Sequence, residues 1–319
     1  MLENIQKLLK TEIRQVDELI LNLAKSEIEV SQKVISHIIS SGGKRLRPLL
    51  TITSAKMFGF EGFEHIRLAV AIEFLHTATL LHDDVVDESG TRRGKKTANS
   101  IWGNKVSILV GDFMLSKAFE QMALSNSIPI ITELARASVA ITEGEVKQLI
   151  NIENIDLSLE EYLQIIYAKT APLFSSACVV GGFLTNQSPQ TISNLREYGK
   201  NLGILFQIID DNLDYFGKES ITGKAVGGDF FEGKITLPLL IGFHTKANEQ
   251  FKKLFLAKKT PQNLAKLLEL FEQEEIRKKC DDFALTYHNR AKELVKTFEA
   301  NEYRDILDEI LTFSLKRVS

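Results

Sequence analysis

Cysteine, proline and an excess of positive charge are all scarce in this chain, and each scarcity excludes a class of protein. Only two cysteines occur in 319 residues, Cys178 and Cys280, and they form no Cys-x-x-Cys pair. We therefore expect neither a zinc site nor a disulfide framework, but two buried thiols in a reducing compartment. The formal net charge of −3 argues against a nucleic-acid partner, which would normally require a basic surface.

Long uncharged apolar segments are missing as well. The chain starts with Met-Leu-Glu-Asn-Ile-Gln-Lys, which lacks the apolar core of a signal peptide, and no later uncharged run reaches membrane-spanning length. We therefore expect a cytoplasmic protein without a transmembrane segment. Only six prolines and 19 glycines interrupt runs rich in Leu, Ile, Ala and Glu, which favours an all-α fold. A single domain over residues 1–319 is feasible at this length.

The central feature is an apolar run without Pro or Gly that continues into Asp83, Asp84 and Asp87. This pattern predicts a buried helix with an acidic C-terminal end. In a helix, Asp83 and Asp87 lie on one face, about 6 Å apart along the axis, and Asp84 points about 100° away. Acids at this end oppose the helix dipole, so we expect a cation there, and paired carboxylates suit Mg²⁺.

Two arginines, Arg92 and Arg93, follow this acidic segment, and arginine is the side chain best matched to phosphate oxygens. Carboxylates, a metal ion and arginines in one place together indicate a diphosphate ligand. The alternative is a solvated helix end followed by a polar turn. A second copy of the pattern favours the metal site, because another apolar helical run ends in Asp210, Asp211 and Asp214.

A basic segment near the N-terminus is a candidate anion site. Gly42 and Gly43 allow close approach of a ligand to the backbone, and Lys44 and Arg47 supply positive charge beside a helix start at Pro48. The alternative is a turn between helices with solvated basic side chains. The residues alone leave both interpretations open.

Two later segments could also contact phosphate. Lys169 and Thr170 interrupt an apolar helix just before Pro172, and either they reach a phosphate or Thr170 bonds to its own helix backbone. Residues 217–233 form a Gly-rich, charged connection directly after the second acidic motif, which is typical of an active-site lid.

His76 lies seven residues before Asp83 and so on nearly the same helix face. A lone histidine on an apolar helix is more often a core residue than a ligand. His82 could orient the acids or be a partly exposed polar residue, and we expect a structural role for Asp112 on the next helix.

Taken together and in order, these motifs resemble those of the trans-isoprenyl diphosphate synthases. The resemblance covers most of the chain, and the residues around the first acidic motif are most similar to bacterial octaprenyl diphosphate synthases, whose products become quinone side chains. It implies an all-α, isoprenoid-synthase-type helical bundle around a deep central cavity, working as a homodimer. The implied substrates are isopentenyl diphosphate and an allylic diphosphate.

The resemblance also implies residue roles. Asp83, Asp87 and Asp210 would ligate three Mg²⁺ ions that hold the allylic diphosphate, supported by Asp84, Asp211 and Asp214. The side chains that clamp the same diphosphate would be Arg92, Lys169, Gln207, Lys224 and Lys234. Isopentenyl diphosphate would be held by Lys44, Arg47, His76 and Arg93. Phe206 and Thr170 would help to stabilise the allylic carbocation.

Product length has its own expectation. The growing chain should extend along the helix below Asp83, where Ala78 and Thr79, one turn earlier, are small. Short-chain members of the family tend to place an aromatic residue there, so small residues indicate a long product. We expect Phe74, roughly 13 Å down the helix, to be the next large side chain on that face.

Three alternatives are weighed against a long-chain synthase. A class I terpene cyclase usually carries an Asn-Asp-x-x-Ser-x-x-x-Glu pattern in place of the second motif, and does not need Lys44 and Arg47. A non-catalytic partner subunit typically loses acidic residues, whereas all six aspartates are present here. A shorter-chain farnesyl or geranylgeranyl synthase is the third alternative, and the small residues Ala78 and Thr79 favour a long product over it.

Overall fold

The described part of the chain is mostly helical, with one short β-ribbon, which confirms the predicted all-α class. The computed structural model describes residues 5, 7–40, 43–92, 94–217 and 226–316. The helices and strands of this part of the chain, numbered in order, are α1 (Lys10–Leu23), α2 (Glu29–Ser40), α3 (Leu46–Met57), α4 (Glu64–Val86), β1 (Thr91–Arg92), β2 (Lys95–Lys96), α5 (Ala98–Trp102), α6 (Asn104–Ala123), α7 (Ile128–Ile150), α8 (Leu159–Leu184), α9 (Pro189–Phe216), α10 (Gly228–Glu232), α11 (Leu237–Gly242), α12 (Asn248–Leu256), α13 (Pro261–Gln273), α14 (Ile276–Val295) and α15 (Glu302–Leu315).

The chain divides into two compact units. The first comprises Met1–Ser138, Leu173–Gly199 and Leu294–Ile310, and the second comprises Val139–Pro172, Lys200–Glu293 and Leu311–Ser319. Helices α7, α8, α9, α14 and α15 contribute residues to both units. The first aspartate motif belongs to the first unit and the second motif to the second. A single domain over residues 1–319 stays a prediction.

Helix α4 is the predicted buried helix of the first unit. It packs against α1, α3 and α6, and most of its 23 residues are buried. A helix surrounded on nearly every side needs apolar residues all round, which explains why its sequence lacks a polar stripe. The surrounding helices fix α4, and they therefore fix the direction in which the acids at its C-terminal end point.

A small β-ribbon follows the first aspartate motif. Strands β1 and β2 pair antiparallel, with Thr91 opposite Lys96. Gly94 in the turn between them has a φ of 74°, a conformation that glycine adopts without strain. Thr97 closes the ribbon, because its hydroxyl donates to the Ser89 carbonyl oxygen at 2.7 Å.

Helix α8 is long and apolar. Among the described residues it is the one helix that could span a membrane by length and composition, and 72% of its most apolar window is buried inside the protein. Burial of this extent is typical of a core helix. The helix also contains Cys178, and both this thiol and that of Cys280 are free and buried, as expected. Burial raises the pKa of both thiols.

Phenylalanines form much of the core of the second unit. Phe230, Phe251, Phe255 and Phe271 are all fully buried. The rings of Phe230 and Phe255 lie 6.4 Å apart in an edge-to-face arrangement, and those of Phe251 and Phe271 lie 5.4 Å apart. Such pairs contribute about 0.5–1.5 kcal/mol beyond area burial, and these join α10, α12 and α13.

His65 on α4 makes the fold sensitive to acid. It is buried beside the ion pair of Lys56 and Glu12, and this burial, with the nearby Lys56, lowers the pKa of His65 to about 4 from 6.5. Between these values the unfolded chain binds more protons than the folded chain, so stability falls as the pH drops from 6.5 towards 4. We expect His65 to account for about 2 kcal/mol of the free energy of unfolding lost between pH 7.5 and pH 5. Urea unfolding at both pH values should show this part of the loss disappearing in His65→Gln, and an unchanged pH dependence would contradict the assignment.

Candidate active site

The first aspartate motif closes the C-terminal end of α4. Asp87 follows the last helical residue, and its backbone N–H donates to the carbonyl oxygen of Asp83 at 2.8 Å. The side chains of Asp83 and Asp87 are half-buried, whereas Asp84 is buried. The first and last carboxylates of the motif are therefore accessible, and the middle one is turned inward.

Asp84 forms an ion pair with Arg92. Nε and Nη2 of Arg92 both lie 2.8 Å from Oδ1 of Asp84, and the Asn99 side-chain amide donates to the Asp84 carbonyl oxygen at 2.9 Å. These bonds hold the ribbon and α5 against the end of α4. Because Asp84 and Arg92 bind each other here, their expected roles toward metal and diphosphate stay predictions. Arg93 lies outside the described residues.

His82 and Asp112 connect α4 to α6. His82 Nε2 lies 3.2 Å from the Ile108 carbonyl oxygen and 3.4 Å from a carboxylate oxygen of Asp112. This bridge is the structural role expected of Asp112. It requires glycine at position 111, because a Cβ on Gly111 would lie 2.4 Å from His82 Nε2.

A hydrogen-bonded chain of side chains runs through the second motif. Thr170 Oγ1 donates to Gln207 Oε1 at 2.7 Å, and Gln207 Nε2 donates to Asp211 Oδ1 at 2.9 Å. The Tyr162 hydroxyl completes the chain by donating to Asp211 Oδ2 at 2.6 Å. Thr170 thus bonds to α9 through Gln207, which favours the site interpretation over a bond to its own helix backbone. Phe206, the expected carbocation partner, is half-buried beside Gln207.

Asp211 is the buried middle residue of its motif, as Asp84 is of the first. Burial, and next the nearby charge of Asp229, raise the pKa of Asp211 to about 8, and the bonds from Tyr162 and Gln207 oppose the rise. A cation close by would favour the ionised carboxylate and lower this pKa. Nothing in the sequence indicates Tyr162 as a partner of Asp211, because this contact depends on how α8 crosses α9.

Asp214, the last residue of the second motif, is half-buried and contacts the first turn of α10. The Asp229 backbone N–H donates to Asp214 Oδ2 at 3.0 Å, and the Gly227 N–H donates to the Asp214 carbonyl oxygen at 2.7 Å. These bonds join the end of α9 directly to the segment that carries Lys234. Part of the predicted lid, residues 226–233, is therefore an ordered turn and a short helix, and residues 218–225 lie outside the described residues.

The lysines expected to clamp the allylic diphosphate are paired with neighbouring side chains. Lys169 Nζ lies 2.8 Å from both Glu145 Oε2 and Gln148 Oε1. Lys234 Nζ lies 2.6 Å from Glu232 Oε2. Lys224 lies outside the described residues. Nothing in the sequence pattern indicated Glu145 as a partner, because it lies on a different helix from Lys169.

The basic segment of the first unit leads into α3. Lys44 is exposed, and the guanidinium of Arg47 lies 4.3 Å from the centre of the buried Phe174 ring. A cation over an aromatic face is held by the ring quadrupole, so Phe174 orients Arg47. Arg45 takes a left-handed conformation with a φ of 45° and pairs with Asp17. Gly42 lies outside the described residues.

His76 lines a small cleft in the first unit. The cleft is also bordered by Gly43 and Arg45 from the basic segment and by Glu73 one turn before His76. The structure therefore brings His76 close to the basic segment, as its expected role requires. The role itself stays a prediction.

The residues proposed to set product length do not share one face of α4. Phe74 lies nine residues before Asp83, which is two and a half helical turns, so it points to the opposite side of the helix. The expectation that Phe74 lies on the Asp83 face is therefore wrong. Ala78 is fully buried on the side away from Asp83, whereas Thr79 is half-buried and within about 40° of it. Thr79 is the better candidate for a wall of the product site.

The accessible carboxylates of each motif are ligands that suit Mg²⁺. Asp83, Asp87 and Asp210 offer half-buried carboxylates, the hard oxygen ligands that this ion prefers. Within the described part of the chain, no three Asp, Glu, His or Cys side chains converge on one point as a ready metal cage. Mg²⁺ does not require such a cage, because it usually takes one or two carboxylates and completes its shell with water and substrate phosphates.

Comparison with known proteins gives one family. A family model described as polyprenyl synthetase matches residues 28–273. Octaprenyl diphosphate synthase of Escherichia coli (strain K12) is 44% identical over 249 residues, which cover 78% of this chain and 77% of that protein. Geranylgeranyl diphosphate synthase of Saccharolobus solfataricus is 37% identical, and the match covers 77% of this chain and 76% of that protein.

A solved structure resembles the whole fold. The polyprenyl synthase of Caulobacter crescentus CB15, crystallised with calcium and isoprenyl diphosphate, superposes with a TM-score of 0.95 and is 39% identical. The superposition covers 100% of this chain and 98% of that one. Similarity at this level extends to the helices that carry both aspartate motifs.

Proposed function

Because this chain belongs to the polyprenyl synthetase family and is a prenyltransferase, we propose that it makes a long-chain trans-polyprenyl diphosphate, with octaprenyl diphosphate as the specific product. It adds isopentenyl diphosphate units head to tail to an allylic diphosphate such as farnesyl diphosphate, in a reaction that requires Mg²⁺. The product would supply a quinone side chain, and the reaction would take place in the cytoplasm.

The observation that carries the proposal is the shared construction of the two aspartate motifs. In each, the first and last carboxylates are half-buried and the middle one is buried. A different side chain holds each middle carboxylate, Arg92 for Asp84 and Tyr162 for Asp211. Two solvated helix ends would not require this arrangement, whereas two metal-binding helix ends would.

The residues that would hold the metal are Asp83, Asp87 and Asp210, supported by Asp84, Asp211 and Asp214. When bound, Mg²⁺ neutralises the charge that develops on the departing diphosphate. The buried middle carboxylates fix the rotation of each motif about its helix axis. We propose three ions, bound together with the substrate.

The basic side chains would hold the two diphosphates. The side chains that would contact the allylic diphosphate are Lys169, Gln207, Lys224, Lys234 and Arg92. Lys169 would exchange its bond to Glu145 for one to a phosphate oxygen, a change of partner between two anions that keeps the ammonium paired. The isopentenyl diphosphate would be held by Lys44, Arg47, His76 and Arg93.

The reaction then needs a dry site more than a base. The allylic C–O bond breaks with its electron pair leaving on the diphosphate, and Phe206 and Thr170 stabilise the carbocation that remains. The double bond of isopentenyl diphosphate attacks this cation, and the proton lost from the adjacent carbon goes to the released diphosphate. No side-chain base is required.

A homodimer is the proposed assembly. Helix α6 exposes several large apolar side chains to solvent in the isolated chain. They are Ile108, Leu109 and Phe119, and Leu124 directly after the helix is exposed as well. An apolar face of this kind on a soluble enzyme is typical of a protein interface. Light scattering of the purified protein should give twice the chain mass of 35.9 kDa.

Incorporation of labelled isopentenyl diphosphate tests the proposal. We expect the purified chain alone, with farnesyl diphosphate and Mg²⁺, to convert the label into an extractable prenyl diphosphate, and EDTA to stop the reaction. Activity without added isopentenyl diphosphate, with release of a cyclic hydrocarbon, would favour a terpene cyclase. Activity only after addition of a second polypeptide would favour a subunit of a heteromeric synthase.

A further inference from the structure

We propose that Lys259 is a positioning residue for the allylic diphosphate site, because it holds α10 in place and thereby sets the position of Lys234. The inference rests on the proposed function, which assigns Lys234 to that diphosphate. Lys259 lies in the turn between α12 and α13, outside both aspartate motifs and outside the basic segment.

The ammonium of Lys259 is enclosed by aromatic rings. Nζ lies 3.7 Å from the centre of the Phe255 ring and 5.0 Å from that of Phe230, and it also donates to the Phe255 carbonyl oxygen. Its charge partner is Glu153, at 3.6 Å. Only 17% of the Lys259 side chain is exposed, and this burial lowers its pKa while Glu153 opposes the change.

Two connections lead from this ammonium to α10. The first is Phe230, a fully buried residue in the middle of α10. The second passes through Glu153, whose backbone N–H donates to the Gly233 carbonyl oxygen at 2.8 Å. Gly233 ends α10 with a φ of 72°, and a Cβ there would lie 2.9 Å from the Glu153 side chain, so the two segments are in close contact.

Lys234 follows directly from this connection. Its backbone N–H donates to the Asp229 carbonyl oxygen at 2.8 Å, which closes the C-terminal end of α10. At the other end of the helix, the Asp229 N–H is held by Asp214 of the second motif. Helix α10 is thus fixed on one side by the aspartate motif and on the other by Lys259 and Glu153.

The charge of Lys259 is the informative property. An ammonium removed from water costs free energy, and an apolar side chain would fill the same space more favourably. A lysine can hold two aromatic rings, a carbonyl oxygen and a carboxylate in one arrangement, which an apolar residue of similar length cannot. We therefore expect loss of the charge to affect position more than stability.

Kinetics of Lys259→Met test the proposal, because methionine retains an apolar stem without the charge. We expect kcat/KM for the allylic diphosphate to fall about 10-fold, while the KM for isopentenyl diphosphate changes less than twofold. Lys258→Met is the matched control, since Lys258 is the exposed neighbour, and it should match the wild type. Lys259→Arg retains the positive charge and should therefore retain most of the wild-type kcat/KM for the allylic diphosphate.

A double variant separates positioning from a general loss of structure. In the Lys234→Ala background, Lys259→Met should cause little further loss, because its effect passes through Lys234. Glu153→Gln, at a side chain that is 58% exposed and so tolerant of change, should reduce allylic kcat/KM about threefold even if Lys259→Met does not fold. The proposal would be overturned if the losses of kcat/KM from Lys234→Ala and Lys259→Met multiplied in the double variant. It would also be overturned if Lys259→Met changed the kinetic constants for both substrates equally, or if the kinetics of both Lys259→Met and Glu153→Gln were unchanged. Wild-type turnover in the same assay tests the proposed function separately.

Discussion

Replacing Asp83 with asparagine is expected to lower kcat/KM for the allylic diphosphate about 1,000-fold. The side chain keeps its size and its half-buried position at the end of α4, so the fold should be retained. It loses the charge that would bind Mg²⁺, and loss of metal stabilisation of the leaving group is worth several kcal/mol, of which about 4 kcal/mol corresponds to this factor. Steady-state rates at saturating Mg²⁺ measure the effect.

Asp282→Asn is the matched control for this loss. Asp282 is an exposed aspartate on α14, and the same change of charge there should leave activity within about twofold of the wild type. Asp87→Asn should resemble Asp83→Asn, because both carboxylates are accessible at the same helix end. Near-normal activity in both motif variants at low Mg²⁺ would show that the first motif does not bind the catalytic metal.

Replacing Thr79 with phenylalanine is expected to shorten the product from about C40 to C15 or C20. Thr79 is half-buried on the Asp83 side of α4, one turn below the motif, so an aromatic ring there would block a chain that extends along the helix. Ala78→Phe should instead lower the free energy of unfolding by about 1–3 kcal/mol, because position 78 is fully buried on the side of α4 away from Asp83. Mass spectrometry of the dephosphorylated products measures the chain length, and urea unfolding measures the stability.

Thr79→Ser is the control for this pair, since it removes only a methyl group and retains the hydroxyl that donates to the His76 carbonyl oxygen. It should give products of wild-type length. If Thr79→Phe produces the same chain length at a reduced rate, the growing chain does not pass along this face of α4.

The helices, and the directions in which the acids of the first motif point, could be predicted from the sequence because both depend on local pattern. Helix α4 is an apolar run without Pro or Gly, and its register alone places Asp83 and Asp87 on one side and Asp84 on another. The same arithmetic, applied over nine residues, shows that Phe74 faces the opposite way from Asp83. The expectation for Phe74 took account of the distance along the helix axis but not of the rotation about that axis.

The partners of the site residues could not be predicted in this way. Tyr162 meets Asp211, Glu145 meets Lys169 and Phe174 meets Arg47 only because different helices cross at those points. Lys259 belongs to no motif, and its contact with Phe230 joins residues 29 positions apart. Such contacts depend on tertiary packing, on which neither hydrophobic periodicity nor motif spacing carries information.

The chain length of the wild-type product tests the central claim most directly. Purified protein incubated with farnesyl diphosphate, labelled isopentenyl diphosphate and Mg²⁺ should give a ladder of products that ends near C40, and EDTA should abolish the whole ladder. Products that stop at C15 or C20 would contradict a long-chain synthase with small residues at positions 78 and 79. Products formed equally well in EDTA would contradict the role given to the two aspartate motifs.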